Sequence, residues 1–347
     1  MDGGLVIERE QMQSVLSYSA LVDVLNDAFA ATSQFSVPDR QSYSIGTPNS
    51  GGGGGGDQTL TGTLLIMPAW SNTQSQHHNH HQKTSYIGVK VVTSFPNNVN
   101  LGLASVLGLY LLSDGRTGRP LALMNGTELT LWRTACASAL AAKYLAKKNP
   151  KVLTMIGAGA LAPHLIQAHI AVRPSISKVF VWNRTPARAA HLAESLKKSQ
   201  ALEMREIEVC TDLESAIRAS DVISCATNSE SPLVLGQWLA PGSHLDLIGA
   251  YKPTMRECDD EAVRIGCIFI DTPAAISEAG DLCGPIGRNV ISPEDVVGDL
   301  FALAQGTIEG RRSGDEITLF KSVGCSLEDL AAAQFVYESL SHGRPKL

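Results

Sequence analysis

Short apolar runs recur along the second half of the chain, at 152–156, 179–182, 207–210, 222–225, 244–248 and 267–270. Between them, segments such as 186–196 and 213–219 carry apolar residues at the i, i+3, i+4 spacing of helices that lay one face on a core. Six strands separated by helices or helix-length connections predict a doubly wound parallel sheet with right-handed crossovers, a Rossmann-type α/β fold. The first 130 residues are patterned differently. An opening helix over 18–31 is followed by strands at 43–45, 60–67, 87–94 and 106–112, joined by turns such as Asp114-Gly115 and Thr117-Gly118. This predicts an α+β domain with an antiparallel or mixed sheet. Downstream, 294–308 has a helical pattern, 309–315 is polar and Gly-containing, and 327–340 is a long helix-like stretch beginning near Ser326. A terminal helix often packs back on the first domain. The expected organisation is therefore an α+β domain of 1–128 and 318–347 around a continuous Rossmann domain of 129–317.

A length of 347 residues leaves room for two such domains. Six of the 31 glycines form the run 51–56, and four of the nine histidines fall within 77–81, so both excesses are local. The inserts 47–57 and 71–84 that hold them cannot recover their ordering entropy by burial and are expected to be mobile loops. A His-His-Asn-His-His cluster can chelate a metal, but with no Cys, Asp or Glu beside it the polar-loop reading is favoured, and no metal is expected. The net charge of −6 contains no long block of either sign, which argues against a nucleic-acid groove or an anionic membrane surface and leaves a small molecule as partner. The stretches 101–112 and 153–172 are too short or too interrupted to span a bilayer. Seven cysteines without a C-x-x-C pair read as reduced, inert thiols of an intracellular protein. The start, MDGGLVIEREQMQ, shows neither an apolar secretory core nor the Ser/Arg-rich, acid-poor character of a transit peptide.

The segment Gly157-Ala158-Gly159-Ala160-Leu161-Ala162 lies between a strand and a helix and has the G-x-G-x-x-A form of a dinucleotide fingerprint. Gly157 permits the tight turn, Gly159 lets the backbone approach a pyrophosphate, and Ala162 lets helix and strand pack closely. The free N–H groups and positive dipole end of the helix then receive the phosphates. At the end of the second strand an acidic residue would hold the ribose 2′-hydroxyl of NAD. Here Asn183-Arg184-Thr185 stands instead, with Arg188 one turn on, and guanidinium groups suit a 2′-phosphate. NADPH is the expected cofactor, with NADH as the weaker alternative. Ala226 and Thr227, at the end of the fourth strand, are candidates for the nicotinamide side.

The set Gly88-Val89-Lys90-Val91-Val92, Leu129-Thr130-Leu131-Trp132-Arg133-Thr134-Ala135, the fingerprint, Trp182-Asn183-Arg184-Thr185 and Phe320-Lys321-Ser322-Val323-Gly324 resembles the ornithine cyclodeaminase/μ-crystallin family, over nearly the whole chain and in order. The resemblance is nearest to plant members that reduce a cyclic ketimine to pipecolate in lysine-derived defence metabolism. It implies a Rossmann domain plus a substrate-binding and dimerisation domain closed by the C-terminal segment, hence a homodimer, and a plastid location, with the cytoplasm as the alternative. It also implies that the substrate carboxylate is anchored by Arg40, Lys90 and Arg133, and that Thr134 and Ser322 contact the cofactor. The chemistry agrees: an α-imino acid must be held by its carboxylate so that the C=N carbon faces the nicotinamide, and Arg and Lys can do this. Lys90 in an apolar strand and Arg133 in an apolar helix start would be costly as unpaired charges.

One departure bears on the reaction. Cyclodeaminases of the family carry an Asp shortly after the Gly that ends the fifth strand. This chain reads Gly249-Ala250-Tyr251-Lys252-Pro253, with Tyr251 at that place. The base for ring closure of ornithine is then missing, whereas a reductase that receives a ready-made cyclic imine does not need it. Asp246 in the strand itself reads as a buried structural partner. The expected activity is reduction of Δ1-piperideine-2-carboxylate, also called 2,3-dehydropipecolate, or of Δ1-pyrroline-2-carboxylate, to L-pipecolate or proline. The alternatives are an ornithine cyclodeaminase and a non-enzymatic NADPH-dependent binder of a small carboxylated ligand.

Overall fold

A computed structural model describes residues 4–48, 58–72, 85–199 and 202–341, which divide into two compact units. The first comprises Met1–Ser17, Ala31–Arg133 and Cys325–Leu347. Its sheet contains β1 (Leu5–Ile7), β2 (Phe35–Ser36), β3 (Gln41–Pro48), β4 (Gln58–Ser71), β5 (Tyr86–Ser94), β6 (Val106–Asp114) and β7 (Pro120–Asn125). The order is β1-β7-β6-β5-β4-β2, with β3 also on β4. Every pair is antiparallel except β1 with β7, so the sheet is mixed. Side chains alternate across the pleat. One row, Ile7–Met124–Tyr110–Lys90–Met67, is buried throughout beneath the C-terminal helix Ser326–Ser341, which packs on β4, β5 and β6. The opposite face leaves Val6, Leu123, Leu111, Leu109 and Val91 exposed. Gly88 is a glycine for a steric reason: a Cβ there would lie 1.8 Å from the Tyr110 hydroxyl.

The second unit, Tyr18–Ala30 and Thr134–Gly324, is built on an eight-stranded sheet, parallel throughout. Its strands are β8 (Val152–Ile156), β9 (Lys178–Trp182), β10 (Glu206–Val209), β11 (Val222–Cys225), β12 (His244–Leu247), β13 (Cys267–Ile270), β14 (Val296–Asp299) and β15 (Thr318–Lys321), in the order β10-β9-β8-β11-β12-β15-β13-β14. β11, β12 and β15 are buried along their whole length, as strands covered on both faces must be. The order reverses between β8 and β11, the switch point at which doubly wound sheets take a dinucleotide.

The six expected Rossmann strands are present, and the differences lie around them. Residues from 318 onward do not begin in the first domain, because Thr318–Lys321 inserts between β12 and β13. This strand is bounded by a Thr and a Lys whose burial depends on partners elsewhere. The expected helix 294–308 is instead a 3-10 turn, β14 and the short helix Leu300–Gln305, because Asp299 caps the helix at the Ala302 N–H. The opening helix Tyr18–Ala30 belongs to the second unit, where Phe29 meets Phe301 at 4.9 Å. The units part after Arg133, inside the helix Gly126–Leu145, rather than before Leu129. The strands β1 and β7 and the helix Arg9–Val15 have no counterpart in the sequence reading. Residues 49–57 and 73–84, which hold the glycine run and the histidine cluster, lie outside the described residues. Among the described residues no helix is long and apolar enough to cross a membrane, and no three metal-type ligands gather. All seven cysteines are free thiols, four of them buried.

Candidate active site

In the second unit the last paired row of the sheet runs Trp182–Ile156–Cys225–Leu247–Lys321–Ile270–Asp299, and the candidate loops follow directly from these residues. Ligands of open parallel sheets bind outside this carboxyl edge. Gly157 has φ 111°, a left-handed value that glycine alone adopts freely, and a Cβ there would stand 2.5 Å from the Ala226 carbonyl oxygen. At Gly159 a Cβ would meet nothing within 4 Å, so the backbone is open on the side a pyrophosphate would approach. The helix Ala162–Val172 starts without a side-chain cap at Leu161 and carries Pro163 in its first turn, which leaves N–H groups for an anion. Ala162 is buried, and Ala160 is exposed. The Asn183 side chain accepts from the Ala158 N–H at 3.1 Å and donates to the Thr185 carbonyl at 3.0 Å, tying the second strand end to the fingerprint. Arg184, Thr185 and Arg188 are exposed at that end. These features fit a dinucleotide.

Two buried carboxylates fasten the remaining loops. Glu257 Oε1 accepts from the Thr227 N–H at 2.7 Å and the Thr227 hydroxyl at 2.8 Å, while Oε2 accepts from the Gly249 and Ala250 N–H groups at 2.7 and 3.3 Å. Asp281 in turn accepts from the N–H groups of Glu257 and Cys258, and Lys321 Nζ lies 3.1 Å from Asp281 Oδ2. Asp271 accepts from the Ser322 hydroxyl and from the Val323 and Gly324 N–H groups, so the Ser322 side chain is directed at the protein's own loop. Burial lifts both carboxyls: Asp271 above its ordinary range, and Glu257 to about 7. Asp246 is the structural partner expected of it, held by Ser138, Ser224 and His169 at 3.0, 2.6 and 3.1 Å. Thr134 is buried at the seam residue of the second unit, and Tyr251 and its neighbour Lys252 form a cation–π contact, with Nζ 5.5 Å from the ring centroid.

In the first unit Lys90 and Arg133 come together as the sequence reading required, but against carboxylates it did not single out. Lys90 Nζ donates to Asp329 Oδ1 at 2.9 Å and has Oδ2 at 2.7 Å. Arg133 pairs with Glu328 at 2.5 Å and has its Nε 2.9 Å from Asp329, out of line for a hydrogen bond. Lys90, Arg133, Asp329 and Glu328 thus form a buried ionic cluster. Burial, then repulsion from Arg133, lowers Lys90 to about 8; burial also opposes charge on Arg133, but Asp329 and Glu328 outweigh it and hold the guanidinium firmly protonated. Three ammonium and five guanidinium donors exceed what these contacts use, so a substrate carboxylate can be accepted as well. Arg40 is half-buried and directly precedes β3. Gln41, the first residue of β3, pairs with Ile66 of β4.

Sequence reasoning missed Glu328, Asp329, Glu257, Asp281 and Lys321. A signal existed for the first two: Glu328 and Asp329 stand between Leu327 and the apolar run Leu330–Ala333, and carboxylates buried with such a run require cations. For Glu257 and Asp281 no periodicity marks the residue, because both lie in connections or at the start of a short helix.

A profile of the ornithine cyclodeaminase/mu-crystallin family matches residues 56–344. Protein SAR DEFICIENT 4 of Arabidopsis thaliana is 42% identical over 334 residues, 96% of each chain. Among solved structures, the Thermococcus litoralis Delta(1)-pyrroline-2-carboxylate reductase in complex with NADH and L-proline superposes with TM-score 0.86 at 32% identity, over 99% of both chains. An archaeal alanine dehydrogenase dimer with bound NAD superposes with TM-score 0.83 at 29% identity, over 99% of this chain and 98% of that one. Agreement over that length, in sequence and in fold together, makes this chain a member of the ornithine cyclodeaminase/mu-crystallin family.

Proposed function

We propose that this enzyme reduces the C=N bond of Δ1-piperideine-2-carboxylate to give L-pipecolate, accepts the five-membered Δ1-pyrroline-2-carboxylate to give proline, and uses NADPH. The coarse assignment, nicotinamide-dependent reduction of a cyclic imine, stands on the family and on the reductases among its relatives. The six-membered ring and a place in lysine-derived plant defence metabolism are our reading, supported by the resemblance to the plant members. The observation that carries the reading is the buried Lys90–Arg133 pair, which offers a site for a carboxylate that neutral donors would not match. When bound, the cofactor supplies the hydride. Arg133, firmly cationic, orients the substrate carboxylate, and Arg40, directly before β3, adds positive charge. A substrate carboxylate adds negative charge to this cluster, which favours the ammonium form of Lys90 and equips it to pass a proton to the imine nitrogen. Tyr251 at the cyclodeaminase Asp position supports reduction over ring closure.

The choice of NADPH rests on Arg184 and Arg188 and on the missing acidic residue at the end of β9. Arg184→Ala is expected to weaken NADPH by about tenfold or more while changing NADH little; equal losses would overturn the choice. We also propose a homodimer through the outer face of the first sheet, where Leu109 is 54% exposed and Val6 61% in one apolar surface. Leu109→Asp with Leu111→Asp should give a monomer in sedimentation; an unchanged mass would remove this face from the assembly. The reaction itself is tested by generating cyclic imines from lysine and ornithine with an amino-acid oxidase, following NADPH oxidation and identifying the product. Pipecolate with stoichiometric NADPH loss is expected. Ammonia release from ornithine without net cofactor consumption would make it a lyase, and tight binding without turnover a ligand-binding protein.

A further inference from the structure

Beneath the loops after β11 and β12 lies a charge set that the hydride-transfer scheme leaves unused. Glu257, Asp281 and Lys321 are all 0% exposed, two carboxylates to one ammonium. Fully ionised, they hold one surplus negative charge out of water, an arrangement that favours a bound proton or a nearby cation. Glu257 is faced by Lys321 from β15, by Asp281 from the helix Gly280–Gly287 and by Cys225 from β11, with Cys258 next to it in the chain. Burial pushes both thiols well up, so they stay neutral near pH 7. The surplus charge therefore resides with Glu257, the group that also grips the two loops.

Those loops leave the β11–β12 side of the switch point, where the second mononucleotide half of a Rossmann dinucleotide lies. For a nicotinamide cofactor that half carries the ring, and the oxidised ring has one positive charge more than the reduced ring. We propose that Glu257 is a positioning residue whose proton follows the cofactor: it would be protonated when the neutral reduced ring is bound and ionised when the cationic oxidised ring is bound. The hydrogen bonds allow this without moving heavy atoms. With Glu257 ionised, the Thr227 hydroxyl donates inward to Oε1 and accepts from the Ser229 N–H at 3.3 Å. With Glu257 protonated, the same 2.8 Å contact reverses, and the Thr227 proton turns outward as a donor for the cofactor.

The inference rests on the nicotinamide-cofactor reading, and binding rather than turnover tests it. Wild-type protein is titrated with NADPH and with NADP⁺ separately from about pH 6 to about pH 8.5, a window centred near the Glu257 value of about 7. NADP⁺ should gain about tenfold in affinity relative to NADPH as pH rises, the equivalent of about one pKa unit of coupling. Calorimetry in buffers of different ionisation enthalpy should show proton release on binding NADP⁺. In Glu257→Gln the two affinities should run parallel. In Asp281→Asn, which keeps an acceptor for the Glu257 and Cys258 N–H groups but removes a neighbouring charge, the divergence should persist at lower pH. That displacement decides the matter should the Gln variant not fold. Parallel curves in the wild type, divergence retained in Glu257→Gln, or an unmoved midpoint in Asp281→Asn would overturn the proposal. Failure of both nucleotides to bind the wild type would overturn the cofactor reading itself.

Discussion

Each unit buries a lysine among carboxylates, and the two sets are perturbed differently. In the first, Lys90 and Arg133 pair with Asp329 and Glu328. In the second, Lys321 alone faces Asp281 and Glu257. In the first set the perturbation falls on a cation, and burial followed by Arg133 repulsion lowers Lys90 to about 8. In the second it falls on a carboxyl, and burial, with Asp281 adding repulsion against the opposing pull of Lys321, raises Glu257 to about 7. Each set therefore holds one group poised to exchange a proton near neutrality, an ammonium in the first and a carboxyl in the second, which suits the roles proposed above, an anionic substrate at one and a change of cofactor charge at the other.

Removing each lysine in turn breaks the comparison most directly. Lys90→Met should reduce kcat/KM by about 10²–10⁴-fold, the range of a lost acid or anchoring charge, with nucleotide affinity unchanged. Its effect on stability is softened because Asp329 keeps Arg133 within 2.9 Å. Lys321→Met leaves two buried carboxylates without a cation, and should lower stability by about 3–5 kcal/mol in denaturant melts. If the Lys90 variant instead unfolded while the Lys321 variant lost only turnover, the assignment of the two sets would be reversed.

The parts of this contrast legible in the sequence were the ones that local pattern marks. Lys90 stood out because an ammonium interrupts an alternating apolar strand, and Arg133 because it opens an apolar helix. Gly157 and Gly159 stood out because their spacing sits between a strand and a helix. Strands such as Val222–Cys225 and Cys267–Ile270 were placed within a residue or two, whereas Thr318–Lys321 was not, since its burial is made possible by Asp281 and by the Leu145 carbonyl, more than thirty residues away in sequence. Glu257 stands in the run Glu257-Cys258-Asp259-Asp260, which no local pattern singles out. Its role depends on backbone N–H groups of two other loops, and no residue pattern records where those N–H groups point.

The next effect in size concerns the first set. Asp329→Asn leaves Lys90 exposed to Arg133 repulsion with only Glu328 in opposition, so its pKa falls further. Wild-type kcat/KM should decline above about pH 8 as Lys90 loses its proton, and this limb should move to lower pH in Asp329→Asn, with about tenfold less activity at pH 8. A limb that stayed in place would separate Lys90 from the ionisation seen in the rate.

The last test is also the sharpest test of the contrast, because the two sets bend stability in opposite directions. Between pH 4.5 and about 7 the folded protein keeps a proton on Glu257 that the unfolded chain has released, so this group makes stability fall as pH rises. Between about pH 8 and 10.5 the folded protein lacks a proton on Lys90 that the unfolded chain retains, so stability recovers as pH rises. Each limb has a ceiling of about 3 kcal/mol, from about 2.5 pKa units at 1.36 kcal/mol each. Denaturant melts across this range, taken as wild type minus variant, should show Glu257→Gln removing only the falling limb and Lys90→Met only the rising one. A single variant that removed both limbs would mean that the sets share one titration, and the distinction between a substrate-facing cluster and a cofactor-facing surplus would not hold.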